Sequence, residues 1–264
     1  MQTVIVIPAR YASSRFPGKM LAELRGAGGR TASLIQRAWE AARAVPGVAR
    51  VLVATDDARI AAQCESFCAE VAMTPTNCRN GTERCAAVLP ALDPAPDLVV
   101  NLQGDAPLTP PDFVEALIQA MAGGEADVAT PVLPCDAETL AHLREDRRQG
   151  RVGATTAVFD EAGRALYFSK ELLPYADALD GPAAAEVHHH VGLYAYRPAA
   201  LRAYAGWAEG RLEAIEGLEQ LRFLENGVPI LCVPVAVRDR VFWELNNPVD
   251  IERIEGAMAR MGMD

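Results

Sequence analysis

Lysine is nearly missing from this sequence of 264 residues: it holds only Lys19 and Lys170 among its 25 basic side chains. The arginine- and alanine-rich composition suggests a GC-rich genome, and against it Lys19 is less a casual surface charge. Long apolar runs are also missing. None approaches the roughly 18 residues of a membrane span, and no charged segment leads into an apolar one at the N-terminus. Neither a span nor a signal peptide is expected, and the predicted location is cytoplasmic. A positive charge excess is absent: the formal net charge of -10 argues against a broad nucleic-acid or anionic-membrane surface, while leaving room for a local basic pocket. The six cysteines (64, 68, 78, 85, 135 and 232) include no C-x2-C pair, so reduced, mostly structural thiols are expected rather than a zinc site. The internal "HHH" at 188–190 is too weak a pattern to predict a metal cluster.

Half the chain is apolar, enough for a sizeable core without disulfides or metal. No low-complexity linker or repeat interrupts it, and a single domain over 1–264 is expected. "TVIVIP", "RVLVAT", "VAMT", "DLVVNLQ" and "DVATPVL" read as strands. Between them lie helical stretches: "TASLIQRAWEAARAV", "DARIAAQCESFCAEV", "TERCAAVLPAL" and "PDFVEALIQAMA". Doubly buried strands alternating with amphipathic helices predict a mostly parallel, doubly wound α/β sheet, unbroken to about residue 132. The second half is more mixed. "VGATTAVFD" and "RALYFS" read as a hairpin, "VGLYAYRP" and "VPILCVPVAV" as strands, and "GRLEAIEGLEQLRFLENG" as one strong helix stopped by Gly227. A closing helix is expected from Asn247-Pro248. The stretch from about 160 to 195 is predicted to leave the sheet as a small mixed arm or lid.

In an open parallel sheet, ligands bind beyond the carboxyl ends of the strands. Four predicted loops lie there: 8–19, 55–57, 74–84 and 103–107. The first gathers Arg10, Arg15 and Lys19 with Ser13, Ser14, Pro17 and Gly18. It is neither a Walker A nor a G-x-G-x-x-G loop. Arginine forks, a lysine point charge, hydroxyls and backbone amides nevertheless suit a phosphate chain. A solvated basic turn is the weaker reading, given three cations, two serines and Gly18 in one loop. "VNLQGDAPL" sets Gln103, Gly104 and Asp105 just past a buried strand, where an aspartate can hold Mg²⁺ against phosphate oxygens or simply cap a turn. Asn80-Gly81-Thr82 could grip a base or ribose, or open a helix.

Six segments, "IPARYASSRFPGKML", "NGTER", "NLQGDAPL", "ALYFSK", "HVGLYAY" and "LEAIEGLEQLRFLENG", resemble the CMP-Kdo synthetases in order and spacing. That family comprises the 3-deoxy-manno-octulosonate (Kdo) cytidylyltransferases, and the resemblance covers nearly the whole chain. It implies a Rossmann-like nucleotidyltransferase fold, with residues 1–132 as the CTP-binding half and about 133–264 as the acceptor-binding and dimerisation half. It also implies transfer of CMP from CTP to an acidic acceptor with Mg²⁺ as cofactor. Arg10, Arg15 and Lys19 would hold the triphosphate, with Pro8, Ala9 and Ser14 in the same loop. Thr74, Asn80, Gly81, Thr82 and Arg84 would line the cytidine pocket, with Gln103 near the acceptor. Lys170, His190, Tyr194, Glu213, Glu216 and Gln220 would meet the acceptor, and Asp105 the metal. Phosphoryl transfer of this kind needs positioning and charge neutralisation more than a strong base. The resemblance further implies a homodimer, which the arm with Tyr167 and Phe168 would suit.

Four positions depart from the family pattern. Ala106 replaces the glutamate of QGDEP, and Asn80-Gly81-Thr82 stands for SGT. "SKELLPYADALDG" replaces an arginine and an IPWDRD segment. Asn246 stands where the family has the first aspartate of VDTPEDL, its second metal ligand, with Glu244 two residues before. The metal set is therefore Asp105 with Asn246 or Glu244. The acceptor stays open between Kdo or a related sugar acid and a phosphonate such as phosphonoformate. A nucleotide-binding protein without turnover and a sugar-1-phosphate nucleotidyltransferase are the other readings.

Overall fold

The computed structural model describes residues 1–13, 16–150, 154–175, 186–237 and 243–264. Its strands are β1 (Thr3–Ala9), β2 (Glu23–Arg25), β3 (Thr31–Ser33), β4 (Arg50–Thr55), β5 (Glu70–Met73), β6 (Leu98–Leu102), β7 (Val128–Pro134), β8 (Thr156–Phe159), β9 (Ala165–Ser169), β10 (His188–His190), β11 (Leu193–Tyr196) and β12 (Ile230–Pro234). The first five helices are α1 (Leu34–Arg43), α2 (Ala58–Ser66), α3 (Gly81–Val88), α4 (Pro111–Gly123) and α5 (Ala137–Arg148). The later ones span Pro198–Gly206, Arg211–Glu216, Leu221–Glu225 and Asp250–Met261.

Ten strands form the central sheet in the order β5-β4-β1-β6-β11-β7-β10-β8-β9, with β12 added beside β7. β5, β4, β1 and β6 are mutually parallel, and β12 is parallel to β7. β11 runs antiparallel between β6 and β7, so those two again share one direction. The predicted mostly parallel α/β sheet is present. Its reason lies in strands such as β1 and β6, buried on both faces. Leu98, Val100 and Leu102 of β6 pack with α1, α4 and the closing helix. Val99 packs on the other side with α3 and the helix Pro198–Gly206.

The described part of the stretch expected to leave the sheet as an arm instead extends it: β9 and β10 are strands of the same ten-stranded sheet, and the partners change between β10 and β11. β10 pairs with β8 and the end of β7, whereas β11 pairs with the start of β7 and with β6. From His190 to Ala195 the chain advances five residues while β7 advances three, from Val132 to Ala129. The bulge lies at Val191-Gly192, where Leu193 N donates to Val191 O at 2.7 Å. Bulges re-aim a strand, and this one sits beside the end of β6. β8 and β9 pair antiparallel as the expected hairpin, and β8 also pairs with β10.

Other expectations change. The single helix expected over 210–227 is two, Arg211–Glu216 and Leu221–Glu225. Gly217, at φ 63°, ends the first in the left-handed conformation, with its N–H on Glu213 O at 2.7 Å. The closing helix begins at Asp250, not Asn247, because Asp250 Oδ2 accepts from Asn246 N (3.0 Å) and Asn247 N (2.7 Å). Phe168 is buried with its ring centroid 4.9 Å from that of His190, and Tyr167 is half-buried, so neither is an exposed contact aromatic. Among the described residues no helix is long and apolar enough to cross a membrane.

Candidate active site

The loops after β1, β4, β5 and β6 lie along one edge because these strands are parallel and in register. The first loop closes on itself through Gly18 N donating to Tyr11 O at 2.9 Å. Arg10 is exposed, its guanidinium reaching Arg79 O at 3.4 Å. Ser14 and Arg15 lie outside the described residues. Lys19 turns inward: its Nζ meets Asp105 Oδ2 at 2.5 Å and Leu245 O at 3.3 Å, and only 9% of the residue is exposed. Pro8 and Ala9 end β1 directly beneath this loop.

Asp105 also fixes the segment before the closing helix, since Leu245 N donates to Asp105 O at 2.8 Å. Asn246 and Glu244 flank that residue, and Asn246 Nδ2 lies 3.4 Å from Glu244 Oε2. Carboxylate and amide oxygens are the donors Mg²⁺ takes, usually together with substrate phosphates. Among the described residues no group of three His, Cys, Asp or Glu side chains is arranged to hold a metal on its own. The donor set therefore suits an ion shared with phosphate oxygens. Ala106, in place of a glutamate, is buried in the turn that Ala106 N closes on Gln103 O at 3.2 Å.

The loop 74–84 builds the next wall. Asn80 caps α3 through Oδ1 on Glu83 N (2.8 Å) and donates through Nδ2 to the Tyr204 hydroxyl (2.9 Å). Arg84 is buried, bonded through Nη1 to Thr74 Oγ1 and 3.4 Å from Asp56. Gly81 leaves little room for a side chain: a Cβ there would stand 3.0 Å from Gln103 Nε2, 3.1 Å from Asn101 Nδ2 and 3.3 Å from Pro8 Cγ. Thr82, fully buried, bonds the Tyr196 hydroxyl at 2.8 Å.

A carboxylate passed over in the sequence reading stands at the centre. Glu219 Oε2 accepts from Thr82 N at 2.8 Å, and its Oε1 lies 3.4 Å from Gln103 Nε2. Burial holds the Glu219 carboxyl above its usual range, against the opposing amide of Thr82. A carboxylate only accepts, so it turns the NH2 of Gln103 toward itself and leaves the carbonyl oxygen for other partners. Asn101 beneath has both amide atoms buried without a partner, as has Gln220 its Nε2. No local signal marks Glu219, because its orientation follows from the break at Gly217.

Among the other predicted acceptor residues, Glu213, Glu216, Tyr194 and His190 have side chains engaged within the protein. Glu213 holds Arg222 in a doubly bonded pair, Nε–Oε2 and Nη2–Oε1 both 2.6 Å, which with Glu83 keeps the guanidinium pKa above its usual value. Glu216 accepts from Ser169 Oγ (2.8 Å) and Lys170 N (3.0 Å), tying β9 to the helix Arg211–Glu216. The Tyr194 hydroxyl donates to Gln220 Oε1 at 3.1 Å. Thr130 Oγ1 lies 2.8 Å from Leu193 O and 3.0 Å from His190 Nε2. With its single proton on Leu193 O, the hydroxyl accepts from an Nε2–H of a neutral His190. Burial, with His189 adding a little, lowers the His190 pKa to about 3.

A parallel sheet with polar loops gathered at its carboxyl edge, and a lysine–aspartate pair between two of them, defines an α/β enzyme of the nucleotide-binding class. Comparison narrows the class. A family model described as cytidylyltransferase matches residues 4–230. The chain is 42% identical over 99% of its length to a 3-deoxy-manno-octulosonate cytidylyltransferase of Maricaulis maris, covering 99% of that protein. It is 39% identical to an 8-amino-3,8-dideoxy-manno-octulosonate cytidylyltransferase of Shewanella pealeana, with 100% of each chain aligned. Among solved structures it is similar to a CMP:2-keto-3-deoxy-manno-octonic acid synthetase complexed with CTP, at a TM-score of 0.84 and 34% identity, covering 99% of this chain and 100% of that one. The chain belongs to the cytidylyltransferase family, and within it to the CMP-Kdo synthetases.

Proposed function

We propose that this protein moves CMP from CTP to 3-deoxy-manno-octulosonate, with release of pyrophosphate. The observation that carries the reading is the Lys19–Asp105 pair, at 2.5 Å, where the basic loop meets the Gln-Gly-Asp loop. An acceptor hydroxyl oxygen attacks the α-phosphorus, the bond from that phosphorus to the β-phosphate bridging oxygen breaks, and the hydroxyl proton passes to solvent. Arg10 and Arg15 hold the triphosphate, and Lys19 leaves Asp105 to neutralise the departing pyrophosphate. Asp105, with Asn246 or Glu244, holds Mg²⁺, which when bound draws charge from the phosphate oxygens. Thr74, Asn80, Gly81, Thr82 and Arg84 shape the cytidine side. Gln103, its carbonyl oxygen freed by Glu219, accepts from the acceptor. His190 is neutral and contributes shape and a hydrogen bond rather than charge.

The Shewanella relative supports a second acceptor, the 8-amino-3,8-dideoxy analogue. The relatives named above are octulosonate enzymes, so the phosphonate alternative gains no support. The two halves about residue 132, a homodimer and a cytoplasmic location complete the reading. Parallel assays with CTP, UTP and dTTP against Kdo test it: pyrophosphate release is expected with CTP. A preference for UTP or dTTP would assign a sugar-nucleotide enzyme instead.

A further inference from the structure

Tyr11 and Gly18, at the two ends of the basic loop, are braced from outside by a residue in the first turn of α2. Gly18 has φ 73°, and a Cβ there would stand 3.0 Å from Tyr11 Cζ and 3.1 Å from its hydroxyl oxygen, so the polar end of the Tyr11 ring packs on Gly18. Over the same ring sits Arg59, its guanidinium carbon 3.3 Å from the centroid. Arg59 is set there by Asp57, with Nε–Oδ1 at 2.9 Å and Nη2–Oδ2 at 2.7 Å. Asp57 is itself the N-cap of α2 and donates its N–H to Thr55 Oγ1 at 3.2 Å. A continuous series of contacts thus runs from the rigid end of β4 through Asp57 and Arg59 to Tyr11 and Gly18, one residue before Lys19.

We propose that Tyr11 and Arg59 are positioning residues for the triphosphate, holding Gly18 and with it Lys19 in place before CTP arrives. The proposal rests on the reading of the basic loop as the triphosphate site. Asp57 already neutralises Arg59, so the guanidinium acts by its face on the ring rather than as another phosphate ligand. A loop ordered in advance loses less freedom when the ligand binds, and the gain appears in affinity.

The test is a double-mutant cycle on Tyr11 and Arg59, read in KM and in binding. Arg59→Ala should raise the KM for CTP about two- to fivefold, the factor an exposed cation–π contact supplies. The acceptor KM and kcat at saturating CTP should stay within about twofold of the parent, since only ligand-free loop order is lost. Tyr11→Leu should behave alike, Tyr11→Phe should retain parental affinity, and Arg59→Ala should add nothing to Tyr11→Leu. Equilibrium binding separates this proposal from the reaction itself. Arg59→Ala should weaken CTP by the same factor and leave CMP, which lacks the outer phosphates, unaltered, whether or not any acceptor turns over. An unchanged CTP affinity, equal weakening of CTP and CMP, or additive effects in the double variant would overturn the proposal.

Discussion

Lys19 Nζ and Asp105 Oδ2, 86 positions apart in sequence, lie 2.5 Å from each other at the mouth of the sheet. The pair joins the basic loop, proposed to hold the triphosphate, to the Gln-Gly-Asp loop, proposed to hold the metal. In the free protein each charge neutralises the other, so bound ligands must exchange partners with both. Lys19→Met removes the cation proposed to meet the leaving pyrophosphate, and a loss of at least about 100-fold in kcat is expected, the scale of one electrostatic donor. Thermal melting measured beside kinetics should show little loss of fold. Near-normal turnover would remove Lys19 from the site.

Asp105→Asn keeps the shape and removes the charge. Activity should fall with it, and the Mg²⁺ titration should move to higher concentration. A variant that is merely slower with an unchanged Mg²⁺ curve would show that Asp105 is not the ligand.

Gly81→Ala places a methyl group 3.0 Å from Gln103 Nε2, closer than an ordinary contact. The expected result is a rise in the KM for both substrates, because Gln103 and the α3 N-terminus give way together. Steady-state kinetics with each substrate varied decides it; a change confined to kcat would contradict the geometry.

The Glu213–Arg222 pair makes a prediction about stability. Glu213→Ala leaves a guanidinium buried with one partner fewer, a change that typically costs about 3–5 kcal/mol. For a chain of this size that is roughly 10 °C in Tm. Scanning calorimetry reads it, and an unchanged Tm would mean that the pair does not hold the fold.

These residues show what sequence can and cannot reveal. Val4 to Ile7 and Leu98 to Leu102 announce themselves as strands because both faces are apolar. α5 does not, since its amphipathic signal is weak: of its twelve residues only Leu140 is buried. The loops at the sheet edge were legible because Arg10, Lys19, Gln103 and Asp105 follow strands and match a family. Glu219 was not, although it lies within "LEAIEGLEQLRFLENG", because a helix drawn straight through Gly217 gives its side chain the wrong direction. Nor was the brace of Arg59 on Tyr11, which depends on the first turn of α2 meeting the first loop in space.

Acid should expose His190. Its pKa of about 3 in the fold lies below the ordinary 6.5, so the unfolded chain binds more protons between those values. Stability is therefore fully present above pH 6.5 and is lost as pH falls toward 3. His190→Gln should flatten that part of the stability curve in denaturant titrations between pH 7 and 4. An unaltered slope would mean that His190 does not titrate as a buried neutral group.

The central claim is the acceptor. Pyrophosphate release from CTP and Mg²⁺ should be measured with Kdo, its 8-amino-3,8-dideoxy analogue and phosphonoformate side by side. The account predicts turnover with an octulosonate, Kdo first. Turnover with phosphonoformate alone, or silence with all three, would contradict it.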